Sequence, residues 1–93
     1  MPKGYPMTQQ ITEVKKGDRL EFIRPVTVDG IRLAGGKGKR VDVIAAYDEA
    51  VLLAFSKPVR DTTNTPVRMV NIMGFKYCYL VNAALLITNC KKV

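Results

Sequence analysis

Val41-Asp42-Val43-Ile44-Ala45-Ala46-Tyr47, then Asp48-Glu49, then Val51-Leu52-Leu53-Ala54-Phe55 forms the clearest hairpin in the sequence. The two arms are rich in β-branched and apolar residues, and two acids separate them at the point where a turn belongs. Working outward, the same signal recurs on both sides. Arg19-Leu20-Glu21-Phe22-Ile23 alternates polar and apolar, the period of a half-buried strand, after a turn at Val14 to Asp18 where Gly17 can take positive φ. Pro25 ends that strand because it cannot donate to a ladder. Val26-Thr27-Val28 and Ile31-Arg32-Leu33 flank Asp29-Gly30, a strong hairpin dipeptide. Ser56 to Pro66 reads as a polar loop. Val67 to Met73 and Phe75 to Val81 read as strands about Gly74.

After Val81 the β-branching lapses. Asn82-Ala83-Ala84-Leu85-Leu86 suits one helical turn with Asn82 as N-cap. Ile87-Thr88-Asn89 is then expected as a last short strand and 91–93 as a tail. Met1 to Gln10, with Pro2, Gly4 and Pro6, reads as a flexible N-terminal arm ahead of one domain over 11–90. Short strands at this spacing, with turn signals between them, indicate an all-β barrel or sandwich.

Two segments resemble the SH3-like barrel class in its prokaryotic or phage type. Lys16-Gly17-Asp18-Arg19-Leu20-Glu21-Phe22 is similar to the Lys-Gly-Asp-x-apolar-x-apolar opening of such barrels. Tyr77 to Ile87 is similar to their close, where a strand leads into one helical turn and a final short strand. With the hairpin over 41–55, the resemblance spans about residues 14–89. It implies a small SH3-like barrel of five to six antiparallel strands. It does not imply recognition of proline-rich peptides: there is no tryptophan, and Ala45-Ala46-Tyr47-Asp48 lies mid-chain rather than on an early loop. Barrels of this class bind RNA, DNA or protein surfaces, so fold alone leaves the partner open.

The 93 residues suffice for one domain, since a single core needs about 50 residues or more. The hydrophobic share of 47% supplies a packed core. No apolar run approaches the ~20 residues that span a bilayer, and no apolar signal core opens the chain, so no membrane role is expected. Two cysteines, Cys78 and Cys90, without a signal segment indicate a reduced, cytoplasmic protein. Cys78 reads as a small buried hydrophobe. The chain has no histidine, which excludes histidine triads and histidine metal ligands, and two thiols cannot make a four-cysteine zinc site. Nothing places its eight acids as a pair in a pocket, so neither an enzyme nor a cofactor is expected.

The net charge is +7, of which residues 1–40, with nine Lys/Arg against four Asp/Glu, carry +5. Such a field attracts polyanions. Gly35-Gly36-Lys37-Gly38-Lys39-Arg40 is the most informative local feature: its glycines let backbone N–H groups approach an oxyanion, and its cations suit phosphate. It lacks the spacing of a Walker A motif. It reads equally as a mobile basic finger on nucleic acid and as a solvated hairpin loop. Phe75, Tyr77 and Tyr79 share one strand face, with Lys76, Cys78 and Leu80 on the other; a wet Lys76 side favours the aromatics as core over a base-stacking platform.

The expected function is therefore a non-catalytic nucleic-acid-binding module, with RNA or DNA as partner. Arg19, Arg32, Lys37, Lys39 and Arg40 would meet phosphate and Tyr47 would stack. The alternative is a protein-binding module, for example a small phage or mobile-element protein docking on a host or virion protein, through an acidic partner surface or an apolar patch built from Met69, Ile72, Met73 and Leu80. Open sheet edges also allow a homodimer.

Overall fold

The computed structural model describes residues 13–93. The arm over 1–10, with Tyr5, and the domain start at Ile11 lie outside the described residues.

The expected hairpin is present, shifted by one residue: β4 (Arg40–Ala46) pairs antiparallel with β5 (Ala50–Phe55) about the turn at Asp48 and Glu49. β1 (Arg19–Phe22) lies along the other side of β4. β2 (Val26–Val28) and β3 (Ile31–Ala34) are joined through Asp29 and Gly30, both at positive φ (51° and 78°). Positive φ at both central residues is the geometry that matches a two-residue turn to the strand twist, and it explains why Asp-Gly sits there. β7 (Val70–Ile72) and β8 (Phe75–Asn82) are joined in the same way by Met73 and Gly74, at φ 52° and 84°.

Three expectations are corrected. Among the described residues nine strands form, not five or six, because short pairings escape a reading based on alternation. One of them, β6 (Arg60–Asp61), lies inside the stretch expected to be loop, and the Asp61 carboxylate builds it a turn by accepting from the Thr63 and Thr65 N–H groups, each at 2.9 Å. The helix α1 (Ala83–Asn89) runs through the residues expected as the last strand. That strand is instead β9 (Cys90–Lys92), which runs from the end of the expected domain into the expected tail. Asn82 is the N-cap, accepting from Ala84 N–H at 2.8 Å, and the helix is sustained by Leu86, which is fully buried. The Thr88 hydroxyl donates to the Ala84 carbonyl and the Asn89 amide to the Leu85 carbonyl, so two poor helix formers hold the last turn. Arg24 donates to the Thr88 carbonyl at 2.9 Å and so satisfies an acceptor left open at the helix end.

The strands make two antiparallel sheets, one in the order β7-β8-β5-β4-β1-β9 and one in the order β2-β3-β6. Each keeps its own edges, and among the described residues no ladder joins those edges into a closed barrel. The main core lies between the sheets: Leu20, Phe22, Leu33, Val41, Val43, Leu53, Phe55, Val59 and Leu86 are buried there. A smaller cluster, Ile44, Leu52, Ala54 and Cys78, covers part of the opposite face of the six-stranded sheet. Both thiols are free and buried. Burial pushes the Cys90 thiol up to about 12. Tyr77 and Tyr79 are half-buried against the main core, while Phe75, nearer the end of the strand, is 39% exposed. No helix among the described residues is long and apolar enough to cross a membrane.

Candidate nucleic-acid interface

A basic side chain that already faces a carboxylate has little charge to offer a ligand, so the pairing of the cations comes first. Alternation along β1 and β4 turns Leu20, Phe22, Val41 and Val43 into the core and Arg19, Glu21, Arg40 and Asp42 outward. There Arg19 meets Asp42 at 3.2 Å, and Glu21 takes both Arg40 at 2.9 Å and Lys91 at 3.5 Å. Lys92 meets Asp18 at 3.2 Å and Lys15 meets Glu13 at 3.3 Å. The Arg40 guanidinium, with Lys91, holds the Glu21 carboxyl below its usual range. Arg19 and Arg40, both expected on phosphate, thus stand in a charge network on one half of this sheet face.

The other expected cations sit elsewhere. Antiparallel pairing sets Arg32 on β3 directly opposite Arg60 on β6. The crossover over 35–39 leads from β3 into β4 and the one over 56–59 leads from β5 into β6, and Lys39 on the first lies close enough to Lys57 on the second to feel its charge. Lys39 stands at the open end of the core with its Nζ 5.1 Å from the centroid of the Phe55 ring. Its pKa is lowered by burial and then by the nearby Lys57 charge. The loop is held rather than free at this end, because Phe22 N–H donates to the Lys39 carbonyl and Gly38 N–H to the Phe22 carbonyl, both at 2.8 Å. Gly38 is at φ 100°, which a side chain would resist.

Following the chain, a basic strip leads from the paired Arg32 and Arg60 on β3 and β6 to Lys37, Lys39 and Lys57 on the crossovers, and none of the five makes an ion pair among the described residues. Residues 1–12 contain no acid. The nearest carboxylate in sequence, Asp61, is engaged by Thr63 and Thr65, and the Thr63 hydroxyl leads the groups that hold its pKa down. Three of the six expected site residues, Arg32, Lys37 and Lys39, belong to this strip. Lys57 and Arg60 were missed because they lie in the stretch taken for a polar loop; the basic residues at 57 and 60 flanking Pro58 and Val59 were the available signal. Tyr47 is 62% exposed but lies beyond the far end of β4, about 25 Å from Lys39 at ~3.3 Å per strand residue. The structure does not bring it to the strip.

The remaining half of the outer sheet face is largely apolar, with Lys76 the exposed charge on its β8 row. Beside the smaller cluster stand Leu80 (55% exposed) and Val70 (56%), with Ile72 packed at its edge and Met73 in the adjoining turn. Met69, expected with them, faces the main core instead and accepts from Val59 N–H through its sulfur at 3.3 Å. No group of three His, Cys, Asp or Glu side chains that could hold a metal occurs among the described residues. No family model, curated protein or solved structure matches the chain.

Proposed function

We propose that this protein is a small non-catalytic module of the SH3-like class that binds nucleic acid, RNA or DNA, through its phosphates. The observation that carries the reading is the division of charge: cations on β1, β4 and β9 face carboxylates, whereas Arg32 and Arg60 on β3 and β6, and Lys37, Lys39 and Lys57 on the adjoining crossovers, have none among the described residues. Such a strip follows a phosphate backbone and reads charge more than sequence. Phe75, 39% exposed, stands at the same end of the sheet, two residues before the Tyr77 that pairs with Phe55, and takes the stacking role expected of Tyr47. The test is a fluorescence anisotropy titration of single- and double-stranded oligonucleotides between 50 and 200 mM salt. Five contacts give a slope of log K against log salt of roughly −3.5 on single strands and roughly −4.5 on duplex. An absence of binding at the lowest salt overturns the proposal.

A second reading, a protein-docking module, is favoured by one specific observation: Val70, Met73 and Leu80 stand exposed beside the open edge strand β7. Partner capture that survives nuclease treatment and is lost in Leu80→Lys supports it, and loss of capture on nuclease treatment returns the balance to nucleic acid.

A further inference from the structure

The pairing of Arg32 with Arg60 carries more than a general basic field. Directly opposed residues in an antiparallel ladder hold their Cβ atoms about 5 Å apart, and like charges in that position destabilise the sheet. Here both partners are arginine, both are exposed, and neither has a carboxylate. On the other flank of Arg32 the opposed residue is Thr27, which brings a hydroxyl and no charge. Asp61 follows Arg60, but alternation directs it away from the pair, and its oxygens are engaged in the turn. That turn does something further. It sets Asn64 at φ 67°, and the Asn64 carbonyl accepts from Arg60 Nη1 at 2.8 Å. One guanidinium is thus oriented by the protein while most of its donors stay available.

We propose that Arg32 and Arg60 form a phosphate clamp on the outer face of the three-stranded sheet. A phosphate group lies between the two guanidinium planes, with the Thr27 hydroxyl as a third donor. A carboxylate is a poorer match, because one guanidinium fork engages both of its oxygens and leaves the second fork only their remaining lone pairs, whereas a tetrahedral phosphate offers separate oxygens to both forks. In the polymer, the clamp fixes one phosphate while Lys37, Lys39 and Lys57 supply the surrounding field. This part rests on the nucleic-acid reading; the clamp itself does not.

The experiment uses the full chain with inorganic phosphate as probe, against chloride at matched ionic strength. Phosphate is expected to raise the melting temperature and to shift the Arg32 and Arg60 Nε–Hε resonances together. Arg32→Gln is expected to melt at or above the wild-type temperature in chloride, since the repulsion is gone, and to lose the response to phosphate. In the second arm, Arg32→Lys/Arg60→Lys keeps the charge and loses the forks, so oligonucleotide affinity falls about tenfold with the salt slope unchanged. Failure of phosphate to move either arginine overturns the clamp, even if oligonucleotides still bind through the lysines. A phosphate response without any oligonucleotide binding supports the clamp as a site for free phosphate and overturns its place on a polymer. Equal oligonucleotide affinity in the double lysine variant overturns the claim that the forks grip the backbone.

Discussion

Lys39 extends across the end of the core and sets its ammonium 5.1 Å from the centre of the Phe55 ring, a residue 5% exposed and paired with Tyr77 on β8. One side chain therefore joins the core to the basic strip, its stem half-buried and its charge facing Lys57.

Replacing Lys39 by Met separates these two roles. The apolar stem is kept, so stability is expected within about 0.5 kcal/mol of wild type, while the salt slope of oligonucleotide binding falls by about 1. The pH dependence has a definite sign. Burial, followed by the Lys57 charge, lowers the Lys39 pKa in the folded state, so the charged form costs stability. As the pH rises from that lowered value towards ~10.4, the unfolded value, the cost is relieved. Urea unfolding of wild type and Lys39→Met across that window should show wild type gaining on the variant. A gap moving the other way would contradict the burial of the charge.

Glu21 shows the acid counterpart. Its carboxyl is held low by the Arg40 guanidinium, with Lys91 adding to it. The stability it contributes is present above ~4.3, the unfolded value, and is lost as the pH falls through the lower folded value. Glu21→Gln should therefore lower the urea midpoint at pH 7 and converge with wild type in acid. A constant difference at every pH would assign the loss to packing instead of charge.

The two faces of the large sheet should respond differently to truncation. Leu53 is fully buried between the sheets, so Leu53→Ala is expected to cost about 2–5 kcal/mol. Leu80, 55% exposed on the opposite face, should accept Lys within about 0.5 kcal/mol. A large loss at Leu80 in denaturant titration would mean that this face is covered in the folded chain.

Thiol labelling probes the fold directly. Burial raises the Cys90 thiol to about 12, and Cys78 has no exposed surface. Both should resist an aromatic disulfide reagent at pH 8 in the native state and react within the mixing time in denaturant. Fast native labelling of Cys90 would show that β9 opens from β1.

The parts of this fold that were legible in sequence are those whose cause is local. The arms of β4 and β5, the Asp29-Gly30 turn and the Asn82 cap each depend on residues within a few positions, and each was located to within a residue or two. The helix end was misjudged because Ile87 and Thr88 are β-branched, while what keeps them helical is distant: Leu86 in the core and Arg24 on the Thr88 carbonyl. The site divides in the same way. Lys37 and Lys39 stand out beside their glycines. That Arg19 and Arg40 face acids, and that Arg32 faces Arg60 across 28 positions of chain, depends on register between strands far apart in sequence.

The burial of β5 on both faces has a consequence for how the chain avoids misassembly. Val51, Leu52, Leu53, Ala54 and Phe55 are all buried, so polarity does not tell one face of this strand from the other. A slip of one residue would again bury apolar groups on both sides, and register must come from the turn, where Tyr47 N–H donates to the Ala50 carbonyl at 2.8 Å. Before that turn closes, the same five residues are an uncharged, strongly β-forming run of the kind that associates between chains. Ser56-Lys57-Pro58 follows at once: a charge, then a residue that cannot extend a ladder. Lys57 is thereby under two demands, one from the proposed ligand and one from the ribosome-fresh chain, and the second applies even where nothing is bound.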